Sequence, residues 1–417
     1  MNRSKFLLIS ILTILLLGLT SWPADLPARP ENNSSFKGNS KSVGSHAPIY
    51  IEGNDALATF IEDEGLSGEG TPASPYIIEN FIINASTAFG IEIRFTDAYL
   101  IIQNCLIEGG AKDGNGSFPR ITPVGILLNN TAHVTIRNNL LPNNPFGIYL
   151  WKSTNNTLSG NSLIYNFYGI ALVNSSNNIL SENSGYKNIA GIGLFFLNKN
   201  TLLGNSINNK TLLGNSENEC LNGIYLYSSG DNLLSGNKVR YNGWVGIWLD
   251  CSKNNTLLGN SVNNNKVSGN STIYNGNGIY LANSSSNILS GNNVSYNYWV
   301  GIGLIFSSNN NTIYFNDIYG NTKCQAYEKY DCMDNRWDNG TTGNYWGDDY
   351  TNNYTSATND GKIWNISYEI VGDGNGVDHF PLVNSITTDY TTDETPGFSF
   401  MVVIFISIFL LIRRKNQ

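Results

Sequence analysis

Charge is scarce in this chain of 417 residues: only 13% are Asp, Glu, Lys or Arg, with 24 basic residues against 32 acidic ones. So few charges beside 41% hydrophobic residues do not describe a solvated, disordered chain. The balance is acidic and no long basic stretch occurs, which argues against binding nucleic acid through its phosphates. Histidine and methionine number 3 each and cysteine 5, too few for a copper- or zinc-rich site. What the chain has instead is 64 asparagines and 42 glycines. Both tolerate left-handed backbone angles, so the chain is expected to turn very often.

The apolar runs lie at the two ends. Residues 1–24 read as a signal peptide: a short basic stretch with Arg3 and Lys5, then an apolar run from Phe6 to Leu19. Residues 25–47, rich in Pro, Asn and Ser, read as a linker. At the other end, 384–396 reads as a polar stalk. Residues 397–417 then hold an apolar run, Phe398 to Ile412, closed by Arg413, Arg414 and Lys415. A basic tail of this kind suits a cytoplasmic stop after a membrane helix. The order Pro396-Gly397-Phe398, apolar run, basic tail resembles an archaeal C-terminal sorting signal, which implies anchoring at the cell surface by a membrane helix or a lipid that replaces it. Without the five basic residues of the two ends, the net charge of −8 becomes −8 − 5 = −13.

Between the ends the sequence repeats. Gly-Ile recurs at Gly90, Gly125, Gly147, Gly169, Gly191, Gly223, Gly246, Gly278 and Gly301, and from Gly125 the steps are 22, 22, 22, 32, 23, 32 and 23 residues. Each unit runs Gly-Ile-x-Leu, a polar turn, then Asn-x-x-Leu-x-Gly-Asn. Apolar and polar residues alternate over only three to five positions, the mark of short strands. This predicts an all-β fold: a single right-handed parallel β-helix over 48–320. It has about ten coils of 22–23 residues, two enlarged to 32. Asparagines at one corner of successive coils are placed to hydrogen-bond in ladders along the axis. Residues 191–245 and 246–300 align without gaps at 31 of 55 identical positions, an internal duplication. The added residues of the enlarged coils are expected to bulge outward over 201–220 and 256–275. A capping helix is expected over 55–64, N-capped by Asn54 or Asp55 and covering the first coil with Ala56, Ala58, Phe60 and Ile61. Residues 321–383 leave the repeat and read as a C-terminal cap.

These coils resemble the NosD-like and carbohydrate-binding or sugar-hydrolase group of parallel β-helix repeat proteins. The stretches Arg336-Trp337-Asp338-Asn339-Gly340, Gly343-Asn344-Tyr345-Trp346 and Asp378-His379-Phe380-Pro381-Leu382 resemble that group's closing element. The resemblance covers about 48–383 and implies the fold more than an activity, because the group is defined by its shape. Its eponymous members assist copper-site maturation. Outside the two ends this chain offers only His46, His133, His379 and Met333 toward copper, so no cofactor is expected.

Three features point to chemistry. In Gly-Ile-x-Leu the Ile and Leu point inward and x points out. That column and the position two further on place Tyr149, Trp151, Tyr225, Tyr227, Trp248 and Tyr280 on one face, where aromatic rings can stack on sugars. Asp373, Asn375 and Asp378 resemble part of a calcium loop, although the segment lacks the closing Glu and its Asp-Gly-Asn-Gly is also turn chemistry. Cys324 and Cys332 are close enough in sequence for a disulfide, while Cys105, Cys220 and Cys251 have no obvious partner. Coil carboxylates (Glu92, Glu182, Asp231, Asp250, Asp317) do not recur at one position, so no catalytic residue is assigned. Sixteen Asn-x-Ser/Thr sequons lie beyond the signal. The expected function is a non-catalytic cell-surface protein that binds a glycan or envelope polymer. A polysaccharide hydrolase or lyase and a structural spacer are the alternatives. Oligomeric state is open.

Overall fold

The computed structural model describes residues 44–109, 124–208, 222–265 and 276–386. Its strands form three parallel sheets of 11, 12 and 10 strands, plus one two-stranded antiparallel pair. The chain visits the three in strict rotation. One coil runs Leu140–Pro142 in sheet 1, Phe146–Trp151 in sheet 2 and Thr157–Ser159 in sheet 3, and returns to sheet 1 at Ser162–Ile164. A right-handed parallel β-helix results, the hand that crossovers between parallel strands almost always take.

The interior follows from the repeat. Ile148 pairs with Ile126 and Ile170, and Leu150 with Leu128 and Leu172, so each inward residue stacks on its own kind. All six are completely buried. The Gly of Gly-Ile serves close approach rather than turning. A Cβ on Gly147 would stand 2.6 Å from the carbonyl oxygen of Gly169 and 2.6 Å from Leu163 Cδ2.

The corners carry the asparagines. Almost every ladder asparagine follows a residue in the left-handed region: Asn138 (φ 56°) before Asn139, Gly160 (φ 63°) before Asn161, Lys187 (φ 53°) before Asn188. At the corner from sheet 3 to sheet 1, Asn161 donates its backbone N–H (3.1 Å) and its Nδ2 (2.9 Å) to Asn183 Oδ1 of the next coil. The same Nδ2 also donates to the carbonyl of Ile136 behind it. The bond recurs through Asn205, Asn237, Asn260, Asn292, Asn316 and Asn344. Two more ladders run along the other corners, one through Asn156, Asn178 and Asn200 and one ending on Gln325 Oε1. These buried amides spend their donors on the backbone and on each other, so they build the scaffold.

Several sequence boundaries need correction. Gly44–His46, assigned to the linker, is a strand paired with 81–83, and Ile49–Glu52 pairs with Ile91–Arg94. The first coil therefore precedes the helix. That helix, α1 (Asn54–Asp63), is N-capped by Gly53 at φ 87° with no side-chain cap. Asn54 instead accepts from Thr96 Oγ1 and the Asp97 N–H, which ties the helix to the next coil. Its buried residues are Leu57 and Ile61, with Phe60 partly buried, rather than Ala56 and Ala58. Residues 201–208 and 256–263 are ordinary coil strands. The added residues fall at 209–221 and 266–275, outside the described residues. A third enlargement, 110–123, also lies outside them. In sequence each of the three separates a sheet 1 strand from the sheet 2 strand that follows it.

At the far end Cys324–Lys329 is still a sheet 2 strand, so the cap begins about one coil later than position 321. Its interior holds Trp337 and Trp346, with Trp346 stacked on Tyr368 at 4.0 Å. A short helix, α2 (Asp348–Asn353), buries Tyr350 among them. Ser385 and Ile386, assigned to the stalk, bond to the Asp317 carboxylate. Among the described residues no helix is long and apolar enough to cross a membrane. The chain divides into units of 1–386 and 387–417. The second unit, with the expected membrane segment, and the expected signal peptide at 1–24 lie outside the described residues.

Candidate functional site

Sheet 2 is the sheet whose outer face is aromatic. Three outward rows cross it: the residue before each Gly-Ile, the x of Gly-Ile-x-Leu, and the residue two beyond x. On three adjacent strands the first row pairs Asn222, Val245 and Asn277, the second Tyr225, Trp248 and Tyr280, and the third Tyr227, Asp250 and Ala282.

The six aromatic candidates do not form one open platform. Tyr225, Tyr227 and Trp248 are only 4%, 8% and 7% exposed. They pack with Val245 against Trp244, Phe195, Cys251 and Tyr280. Tyr225 and Trp248 lie 4.8 Å apart between ring centres, Trp244 and Trp248 4.9 Å. Tyr149 belongs to a second cluster with Phe146, Tyr168, Ala171 and Ala190, and Phe195 touches both clusters. Trp151 joins neither and faces Lys152. The expectation of an exposed face is thus corrected. Neighbouring outward rings stand one strand spacing apart, about 4.8 Å, and close against one another.

The first row was not singled out in the sequence. A signal for it exists in retrospect: the residue before each Gly-Ile reads Phe89, Val124, Phe146, Tyr168, Ala190, Asn222, Val245, Asn277 and Val300, mostly apolar and yet interrupted twice by asparagine. Those two asparagines, 4% and 3% exposed, sit on either side of Val245. Asn222 Oδ1, Asn277 Oδ1 and Trp248 Nε1 are buried with no hydrogen-bond partner. Each such group costs about 1–3 kcal/mol.

The one carboxylate of this patch is Asp250. It accepts from the Tyr225 hydroxyl at 3.3 Å. Burial pushes its pKa above the usual carboxylate range, and burial together with the Asp250 charge pushes the Tyr225 hydroxyl up. Burial also raises the Cys251 thiol, to about 11. A protonated Asp250 could donate, but Glu52 and Glu92, further outward acids of sheet 2, lie many coils away, Glu52 bonded by Tyr50 and Glu92 paired with Arg94.

The remaining sequence candidates lie in the cap and act structurally. Asp378 accepts the N–H groups of Asn344, Phe380 and the Trp346 indole, so it ends the asparagine ladder. Asp373 accepts the Tyr330 N–H. A Cβ on Gly374 would lie 2.3 Å from Glu328 Oε2, and one on Gly376 2.7 Å from Trp337 Nε1. The Asp-Gly-Asn-Gly segment therefore lies closely over Glu328, which explains its glycines without calcium. Cys324 and Cys332 are both free, a correction to the expected disulfide. Cys324 opens the sheet 2 strand Cys324–Lys329, and Cys332 lies beyond its far end. Cys332 Sγ bonds to the Lys329 carbonyl instead.

A family model described as periplasmic copper-binding protein (NosD) matches residues 119–268 and 261–352. No curated protein matches the sequence. Solved structures similar to the chain include a periplasmic alginate epimerase, AlgG, at 16% identity and TM-score 0.44, covering 70% of this chain and 83% of that one. The mannuronan C-5 epimerase A-module of Azotobacter vinelandii is 14% identical at TM-score 0.42, covering 61% and 84%. An alginate lyase from Paenibacillus sp. is 10% identical at TM-score 0.36, covering 66% and 95%.

Proposed function

The chain belongs to the NosD family, whose model spans more than half of it, and from that membership and the outer face of sheet 2 we propose a non-catalytic, cell-surface carbohydrate-binding protein. The observation that carries this is the set of three unpartnered polar atoms, Asn222 Oδ1, Trp248 Nε1 and Asn277 Oδ1, set among aromatic rings. A sugar presents apolar ring faces and hydroxyls that both donate and accept. The patch offers the complement: rings of Tyr225, Tyr227, Trp248 and Tyr280, two acceptors and one donor. Because the three atoms are buried, Trp248 and its neighbours must give way as the ligand enters. Tyr149 and Trp151 extend the face toward the N-terminal coils. The polymer bound is a polysaccharide or envelope glycan, and the segments 1–24 and 397–417 would carry the protein to the surface and hold it there.

Hydrolysis or lysis needs paired acid and base groups. Asp250 stands alone on this face, which favours binding over catalysis. Copper, named in the family description, does not fit the described residues. His379 is paired with Asp338, His133 bonds to the Asp97 carbonyl, and His46 pairs with Glu64. Among the described residues no three His, Cys, Asp or Glu are grouped to hold a metal ion. The test is a panel of polysaccharides offered to the full chain, read for both binding and release of reducing ends. Binding without release supports the proposal. Release of reducing ends would replace it with the hydrolase or lyase. Retention of no polymer would favour the structural spacer.

A further inference from the structure

Eight sequons lie in the described coils, and two of them, Asn84 and Asn293, stand on sheet 1 strands. The other six, Asn129, Asn155, Asn174, Asn254, Asn283 and Asn310, fall on one edge, the end of sheet 2 and the turn that leads to sheet 3. All but Asn129 are exposed, and those five hold φ between 50° and 57°, a conformation that turns the side chain away from the coil. We infer that this edge is a ridge of N-linked glycans, with the six asparagines as acceptors for an oligosaccharide carried on a lipid phosphate.

The fold alone does not require these sequons. A corner needs a left-handed residue, a ladder asparagine and a strand-forming residue. At the sheet 2 to sheet 3 turn the strand position holds Thr157, Thr256 and Thr312 behind a left-handed asparagine, and Thr135 and Thr201 behind His133 and Lys199, but Ile179, Leu233 and Ile288 occupy the same register equally well. The opposite corner, from sheet 3 to sheet 1, is a control. There Ser162, Ser184, Ser206 and Ser261 open the strand, and the left-handed residue two places before them is Gly160, Glu182, Gly204 or Gly259, never asparagine. The asparagines that do occupy that corner position, Asn80, Asn104 and Asn138, are followed two places on by Ile82, Leu106 and Leu140. Left-handed asparagine and hydroxyl therefore coincide in three coils at the first corner and in none at the second.

The chemistry is a transfer. The asparagine Nδ2 forms a bond to the anomeric carbon of the donor sugar, the bond from that carbon to the lipid phosphate breaks, and the amide gives up one proton. The buried ladder asparagines cannot take part, since their Nδ2 atoms are committed to neighbouring coils.

The experiment uses the full chain purified from its own host and mapped by glycopeptide mass spectrometry. A companion variant carries Thr157→Val, Thr256→Val and Thr312→Val, which keeps the strands and the asparagines but removes three sequons. The expected result is glycan mass on peptides of the six ridge asparagines. It should be lost in the variant from Asn155, Asn254 and Asn310 and kept on Asn174 and Asn283. Bare ridge peptides in the host-derived protein, or glycan confined to the cap sequons at Asn339, Asn353 and Asn365, would overturn the inference.

Discussion

At the residue scale the molecule rests on an unusual assignment of tasks. Asparagine is normally a surface residue, yet here it is buried at the corners because one side chain satisfies three backbone or amide groups of two neighbouring coils. Replacing Asn260 by Ala would strand the Asn237 N–H and Nδ2 and the Leu234 carbonyl. The expected loss is about 3 kcal/mol, read as a lower denaturant midpoint with an unchanged slope. Gly169→Ala would drive a Cβ to within 2.6 Å of the Gly191 carbonyl and should cost about 1–3 kcal/mol in the same assay. Asp378 ends the longest ladder, and burial raises its pKa to about 7. Between the ordinary carboxylate range and that value the folded chain keeps a proton that the unfolded chain has lost. Its contribution is therefore full at low pH and falls away as pH rises toward about 7. Asp378→Asn should flatten this fall, measured as the difference in midpoint between wild type and variant from pH 4 to 8.

At the element scale, what was legible and what was not divides cleanly. Short strands, inward Ile and Leu, and ladders were legible because each coil repeats the same local demand, and repetition turns a weak signal into a firm one. The site of the enlargements was not. The duplicated Thr-Leu-Leu-Gly-Asn-Ser at 201 and 256 marks where the sequence repeats, but the strand register lets that motif stay in the coil and puts the extra residues after it in sequence. The capping helix was legible, but its buried face was not. The inward direction depends on how α1 lies over the first coils, and its own sequence shows only that Ala56, Leu57, Ala58, Phe60 and Ile61 are available. Leu57 and Ile61 are four apart, the helical spacing that puts two side chains on one stripe. Leu57→Ala should remove about 3 kcal/mol from the N-terminal coils, seen as earlier hydrogen exchange at 49–51 and 91–93 than at the central coils. The aromatic face was legible as a column but not as a packed surface, since packing depends on the residue before Gly-Ile. Asn222 and Asn277 carried no repeat signal because they interrupt a row of otherwise mostly apolar residues.

At the scale of the whole molecule, the ladders and stacked interior make the described coils uniform, and uniformity cannot confer recognition. Departures from the repeat can. They gather on sheet 2: unpartnered asparagines, a buried acid and crowded rings. One edge of the sheet holds six of the sequons. Sheet 2 thus borders the edge of proposed glycans, and its outer face is the proposed binding surface. The most direct test is the equilibrium affinity of the full chain for the polysaccharide that the binding panel identifies. It would be compared with that of the Asn222→Ala, Asn277→Ala double variant, and circular dichroism would confirm that both are folded. The account predicts an affinity at least tenfold weaker for the variant, the loss of about 1.4 kcal/mol or more of hydrogen bonding to the ligand. Equal affinity in the two folded proteins would contradict it.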